Sequence, residues 1–508
     1  HASRLAVTRS TSHRQESPLS TAPTILWHDY ETTGVDPSRD RPLQFAAIRT
    51  DENLDAIGEP IMWYCRPPLD RLPSPDAALV TGITPQFARA KGESEAHFMG
   101  LIHDEFSQAG TCGAGYNSLR FDDQVTRHGL YRNLYDPYAR EWRNGNSRWD
   151  IIDLMRACHA LRPEGVQWPE REGGLPSFRL EDLTAANGIS HGNAHDALAD
   201  VSATIEMARL VLRHQPRLFR FYYGLRRKKA VQALIDLPGH TPLVHVSGMY
   251  SAENGNVSVV VPICEHPSDS NGVLVYDLRE DPAPFLALPP EELAHRQFTS
   301  SAGLGDISRL PVKTIHINRS PFIAPLRTLG EASAHRYGLN HDRLMDHRDT
   351  LLNAVRQDGF ASRLRDAQGL NALPEPSDPE LMLYSGPFLS REDRARLDRV
   401  RGALPHPASD ADLAFSDARL SKLVFRYRAR NFPDALSADE RSRWNNQRRR
   451  WLTGEEPGMS LSFGEYRARI TELLADENDL AARRTVLEAL SEWADELEQS
   501  LSRTTDAA

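Results

Sequence analysis

Apolar residues along this chain gather first in short runs bounded by turn formers and later at helical spacing. The first run, Thr24-Ile25-Leu26-Trp27, ends in Asp29-Tyr30-Glu31 and a turn at Gly34, which predicts a strand near 24–31. Similar runs predict strands near 43–50 and 59–65 and a short one before Asn117, with helical segments alternating among them. The most helical stretch is 196–213, where Leu198, Val201, Ile205, Ala208 and Leu212 follow i, i+3, i+4 spacing and define a buried stripe. This mixture of strands and amphipathic helices predicts an α/β domain with a mixed sheet flanked by helices. Gln215-Pro216 ends the long helix, and a basic, aromatic stretch leads into β-rich pieces at 242–249, 256–263, 272–278 and 311–318, separated by Gly, Asn, Pro and Asp turns. Such spacing reads as a small barrel. From about 341 onward the signal is helical, with Pro-rich breaks at 373–379 and 402–409, and the last helix sets Val486, Leu490, Trp493 and Leu497 on one stripe. The expected boundaries are a disordered tail over 1–20, the α/β domain over 21–214, a barrel domain over 215–366 and an all-helical domain over 367–508.

At 508 residues the chain is too long for one hydrophobic core, which agrees with several domains. With 40 % hydrophobic and 26 % charged residues its composition is that of an ordinary globular protein, and no apolar run is long enough for a membrane span. Cys65, Cys112, Cys158 and Cys264 are widely spaced without a C-x-x-C pair, which argues against a zinc site or a disulfide scaffold and fits a reduced cytoplasm. The formal charge of −10 describes the whole molecule, whereas nucleic-acid binding depends on where the cations lie. They cluster at Arg226 to Lys229, at Arg426, Arg428 and Arg430, and from Arg441 to Arg450, with Tyr222, Tyr223, Tyr427, Trp444 and Trp451 among them. Aromatics interleaved with cations suit single strands, whose bases stack while phosphates pair; solvated helix faces are the alternative. Residues 1–20, rich in Arg, Ser and Thr, read as disordered, although transit peptides share that composition.

Candidate chemistry centres on carboxylates. Residues two apart on a strand share a face, so Asp29 and Glu31 project together while Tyr30 points the other way. Two adjacent carboxylates repel unless a cation lies between them, and hard Mg²⁺ or Mn²⁺ prefers such oxygen ligands. Phe121-Asp122 opens a helix after a Tyr116-Asn117 turn, which leaves the Asp122 carboxylate at the helix start, where a plain N-cap is the alternative role. His195 falls at the entrance of the 196–213 helix, and Asp200 lies beside its buried stripe, able to reach a metal shared with Asp29 and Glu31.

In this order and spacing, Asp29, Glu31, Asp122, His195 and Asp200 resemble the motifs of the DEDDh branch of the DnaQ-like exonuclease superfamily, which has an RNase H-like fold. The segments 40–51, 79–86, 146–150, 155–158 and 175–181 are similar to the bacterial exodeoxyribonuclease I family, as are 242–249 and 425–433, so the resemblance covers nearly the whole chain. It implies an SH3-like barrel and an exodeoxyribonuclease that hydrolyses single-stranded DNA from the 3′ end to 5′ mononucleotides, processively, in DNA repair or recombination. Two Mg²⁺ ions, replaceable by Mn²⁺, are implied, with Asp29 between them, Glu31 and Asp200 completing one site and Asp122 supporting the other directly or through water. His195 would accept the proton of the attacking water. Arg179 in Ser-Phe-Arg-Leu is the first candidate for a substrate phosphate, with Glu31 also touching substrate; Arg127, Tyr138, Trp142, Arg156 and Lys228 follow, with ion pairing or core packing as the alternative. Arg162 matches a family position for the acidic C-terminal tail of single-stranded DNA-binding protein, while the positions around Pro325 and Gly330 are changed, with Arg327 a substitute. A cytoplasmic monomer is expected. The competing functions are the same chemistry on RNA and a catalytically silent single-strand-binding scaffold; the filled catalytic positions argue against the second.

Overall fold

The computed structural model describes residues 22–190, 196–371, 375–403, 413–475 and 481–502, so the expected tail over 1–20 and His195 lie outside the described residues. Strand β1 (Thr24–Thr32) pairs antiparallel with β2 (Pro42–Thr50), and β2 with β3 (Ile61–Tyr64). On its other side β1 runs parallel to β4 (Thr111–Gly115), and β4 to β5 (Ser147–Asp150), giving the order β3-β2-β1-β4-β5. This is the mixed sheet expected from the pattern. The β5 strand was not predicted, because among Ser-Arg-Trp-Asp only Trp149 is a large apolar residue and a period of two cannot show itself.

The pleat separates two cores. Ile25 and Trp27 face the helix Ala197–His214, while Leu26 and Tyr30 face Phe98, Ile102 and Phe106 of the helix Glu95–Ser107 and Val125 of the helix Asp122–Arg132. The buried stripe of Ala197–His214 is turned from the predicted one: Met207 and Val211 are buried, while Leu198 and Leu212 are only partly covered. The helix packs against Leu180–Ala186 and Pro216–Gly224 as well as the sheet, which widens its covered face.

The second sheet, β10-β6-β7-β8-β9, is antiparallel throughout. Its strands are β6 (Leu243–Val246), β7 (Val257–Glu265), β8 (Gly272–Asp277), β9 (Val312–His316) and β10 (Phe322–Pro325). The unpredicted β10 is short and bracketed by Pro321 and Pro325, which an edge strand tolerates. Between the two sheets, Phe219, Tyr222 and Tyr223 pack on Trp149, and the Tyr222 hydroxyl donates to the carbonyls of Asp150 (3.2 Å) and Ser320 (2.9 Å). The reading of interleaved aromatics as stacking platforms is therefore corrected: Tyr222, Tyr223, Tyr427, Trp444 and Trp451 are all buried core residues.

Helices His341–Gln357 and Phe360–Gly369 pack on the barrel through Leu344, Leu351, Phe360 and Leu364. The remaining C-terminal helices include Ala418–Asn431, Ala438–Leu452 and Ala481–Ser502, the last burying Leu487, Leu490, Trp493 and Leu497 with Val486 partly covered. Among the described residues no helix is long and apolar enough to cross a membrane, and all four cysteines are free thiols.

One buried carboxylate joins the α/β and helical domains. The Glu380 oxygens lie 2.7 Å from Arg41, 2.9 Å from Arg71, 2.7 Å from Arg430 and 3.3 Å from Arg426. Burial opposes this charge, but Arg430, Arg41, Arg71 and Arg426 outweigh it and hold the carboxyl well below its usual range. Glu380→Gln leaves those guanidiniums around a neutral amide, and breaking a buried pair costs about 3–5 kcal/mol. The expected result is a lowered calorimetric midpoint at pH 7. Because the folded carboxyl is depressed, its stabilisation is present above the unfolded value of about 4.3 and lost as pH falls through the folded one, so the two melts converge only in strong acid. Coincident melts at pH 7 would remove Glu380 as the fastening between these domains.

Candidate active site

Asp29 and Glu31 continue the face of β1 that begins with Ile25 and Trp27, so both carboxylates point toward the helix whose first turn carries Asp200. Strand β4 pairs with β1 only from Thr24 to Trp27; beyond it the chain leaves the sheet and turns into the helix Asp122–Arg132, opening space beside Asp29. Asp29, Glu31 and Asp200 each offer a carboxylate oxygen, all within 4.8 Å of one another. Asp122 stands next to this group, its Oδ1 accepting the Tyr30 N–H at 3.2 Å. Burial, then the charges of Asp29, Asp200 and Asp196, pushes the Glu31 carboxyl up to about 9. Burial, then Asp122 and Asp200, raises Asp29 in the same way. An all-oxygen set whose members cannot all be ionised unaided fits a hard divalent cation.

The turn that delivers Asp122 is fixed from β5. Asn117 adopts a left-handed φ of 58°, and Asp150 accepts the backbone N–H groups of Asn117 (2.8 Å), Leu119 (3.1 Å) and Ile152 (3.0 Å). Burial pushes Asp150 up to about 7 despite these donors. Asp123 turns away from the site to Arg140 and Arg148; burial opposes its charge, yet Arg140 and then Arg148 outweigh it and bring the carboxyl down to about 2. Neither Asp123 nor Asp150 was singled out from the sequence. The Asp122-Asp123 doublet was a usable signal for the first, whereas the role of Asp150 depends on amides of a turn distant in the chain.

A cleft of about 630 Å³ is lined by Asp29 and Asp200 of this group, by Tyr116, Arg156 and Arg179 and, from the barrel, by Gly248 and Tyr250. Arg179 is exposed at the start of Leu180–Ala186 and has no ion-pair partner among the described residues. Arg156 donates to Asp153 at 2.6 Å and lies over the Phe178 ring at 5.9 Å. The other expected substrate residues are not part of this lining. Arg127 is buried, bonding Glu141 at 2.6 and 2.7 Å and the Tyr384 hydroxyl at 3.0 Å, and it lies 5.1 Å over the ring of Tyr138, whose hydroxyl donates to the Leu383 carbonyl. Trp142 is 64 % exposed, and Lys228 Nζ donates to Asn271 Oδ1 at 2.7 Å. Arg162 Nη2 donates to the Thr328 carbonyl at 3.3 Å, which sets it against the turn Leu326–Thr328 that carries Arg327.

Matches to known families follow the same layout. Family models for an exonuclease, an exonuclease I SH3-like domain and an exonuclease I C-terminal domain match residues 26–208, 226–366 and 377–497. Exodeoxyribonuclease I of Escherichia coli (strain K12) is 48 % identical over 476 residues, spanning 93 % of this chain and 98 % of that protein. The chain belongs to the exonuclease I family. Among solved members, the moderately thermophilic exonuclease I of Methylocaldum szegediense superposes with a TM-score of 0.88 at 48 % identity, covering 94 % of this chain and 100 % of the other. A zinc-bound complex of E. coli exonuclease I with single-stranded DNA superposes with a TM-score of 0.87 at 46 % identity, covering 94 % and 99 %. As a member of the exonuclease I family the chain is a metal-dependent exodeoxyribonuclease, and its exonuclease, SH3-like and helical domains are those of the family.

Proposed function

We propose that this exonuclease hydrolyses single-stranded DNA from the 3′ end, releasing 5′ mononucleotides, with two Mg²⁺ ions that Mn²⁺ can replace. The observation that carries this reading is the group Asp29, Glu31 and Asp200, of which Asp29 and Asp200 line one cleft with the arginines Arg156 and Arg179. Those three carboxylates would hold one cation, and Asp122 would support a second from its place beside Asp29. Divalent cations bound there supply stabilisation of the charge that builds on the phosphoryl oxygens and make an attacking water more acidic. Arg179 and Arg156 pair with strand phosphates and hold the terminal linkage against the carboxylates. The Tyr116 hydroxyl donates to the Phe178 carbonyl at 2.6 Å and so fixes the segment that presents Arg179. His195 takes the proton of the attacking water. The relative solved with both zinc and single-stranded DNA supports the substrate and the divalent requirement. The same reading makes the enzyme a processive cytoplasmic monomer acting in DNA repair, with Arg162 and Arg327 receiving the acidic tail of single-stranded DNA-binding protein.

The test is an end-labelled oligo-dT digested with and without Mg²⁺. A 3′ label should be released at once as mononucleotide while a 5′ label passes from full-length strand to the short limit product, and EDTA should stop both. A blunt duplex of the same length should be cut roughly 10- to 100-fold more slowly, since unpairing and unstacking each terminal nucleotide costs a few kcal/mol. Equal rates on duplex and single strand, or preferential digestion of oligo-U, would overturn the substrate assignment.

A further inference from the structure

The barrel domain supplies part of the cleft wall, and its contact with the exonuclease domain there is unusually close. A Cβ built on Gly248 would sit 2.8 Å from both Cζ and Nη2 of Arg156 and 3.0 Å from Nη1, so the guanidinium rests directly on the glycine backbone. Gly248 and Arg156 line the same cleft as Asp29, Asp200 and Arg179. The loop that carries Gly248 is anchored on both sides: Ser247 N–H donates to the Asn256 carbonyl at 2.9 Å, Tyr250 N–H to the Ser247 carbonyl at 3.1 Å, and Asn256 Nδ2 to the Tyr250 carbonyl at 2.7 Å. The Tyr250 hydroxyl is bonded in turn to His245 Nδ1 at 2.8 Å. Gly248 is absent from the positive-φ residues, so its backbone accepts alanine, and the three atoms nearest a side chain there all belong to the far end of a long arginine. The guanidinium, rather than the anchored loop, is what would move.

We propose that Gly248 is a positioning residue of the exonuclease: having no side chain, it lets the barrel loop press on the Arg156 guanidinium and hold it, together with Asp153, at the cleft wall where it meets a phosphate of the bound strand. The barrel domain thereby takes part in placing the scissile linkage as well as in covering the strand. This inference rests on the reading of Arg156 as a phosphate contact. A charge-assisted hydrogen bond lost at one phosphate weakens binding by roughly 10- to 100-fold.

The experiment compares wild type, Gly248→Ala, Arg156→Ala and the double variant in Mg²⁺-dependent digestion of oligo-dT, and in binding of a fluorescent oligo-dT under EDTA. Gly248→Ala should keep its melting midpoint within about 2 °C of wild type. Its KM and its Kd for the strand should rise about tenfold with kcat little changed, because the metal-binding carboxylates are untouched. In the Arg156→Ala background the glycine change should add nothing, the mark of two residues acting through one contact. Wild-type KM and Kd in Gly248→Ala would overturn the proposal. So would penalties that multiply in the double variant, or a fallen melting midpoint with a binding defect that persists without Arg156. Wild type that binds and digests no single strand would instead overturn the exonuclease reading on which the proposal stands.

Discussion

Asp29→Ala should lower kcat on single-stranded DNA by roughly 10³- to 10⁴-fold, the loss of several kcal/mol of charge stabilisation at the phosphoryl group. Asp29 is the member of the acidic group that feels both Asp122 and Asp200, so its removal opens the set at its centre. Strand affinity measured in EDTA should stay near wild type, because the arginines that line the cleft are unaffected. The metal-free variant should melt no lower than wild type, since removing one of several crowded carboxylates relieves repulsion. Calorimetric titration should show the high-affinity divalent site lost. Near-normal turnover in Mg²⁺ would show that hydrolysis is organised around another group.

His195→Ala separates proton transfer from cation binding. All four carboxylates remain, so divalent affinity and strand docking should change little, while the attacking water loses its acceptor and the rate falls by ~10²- to 10⁴-fold. The acidic limb of the pH–rate profile near the ordinary imidazole range should vanish with it. Unchanged turnover with an unchanged profile would reduce His195 to a helix-entrance residue and place the base elsewhere. A parallel fall in divalent affinity would instead make it a ligand.

Strands β1 to β4, the barrel strands β6 to β9 and the last helix were legible because apolar runs bounded by turn formers mark the strands and helical spacing of apolar residues marks the helix. Strands β5 and β10 were not, one being largely polar and the other bracketed by proline. The buried stripe of Ala197–His214 was drawn slightly off because periodicity marks one packing face, and this helix is covered by other helices as well as the sheet.

For the acidic site, sequence by itself determined which side chains converge: Asp29 and Glu31 share a strand face by the pleat, and Asp200 follows the stripe that packs on that face. Only the tertiary structure decided which cations the protein's own carboxylates engage. Arg127, Arg426 and Arg430 are indistinguishable from Arg179 as letters in the chain, yet Glu141, Asp378 and the pair Asp70 and Glu380 engage the first three inside the protein. Arg179 is left exposed in the cleft without an ion-pair partner among the described residues. The physical reason is range: carboxylates at a strand end and a helix start are placed by local periodicity, whereas a guanidinium is neutralised by whichever carboxylate the fold brings to it from far along the chain.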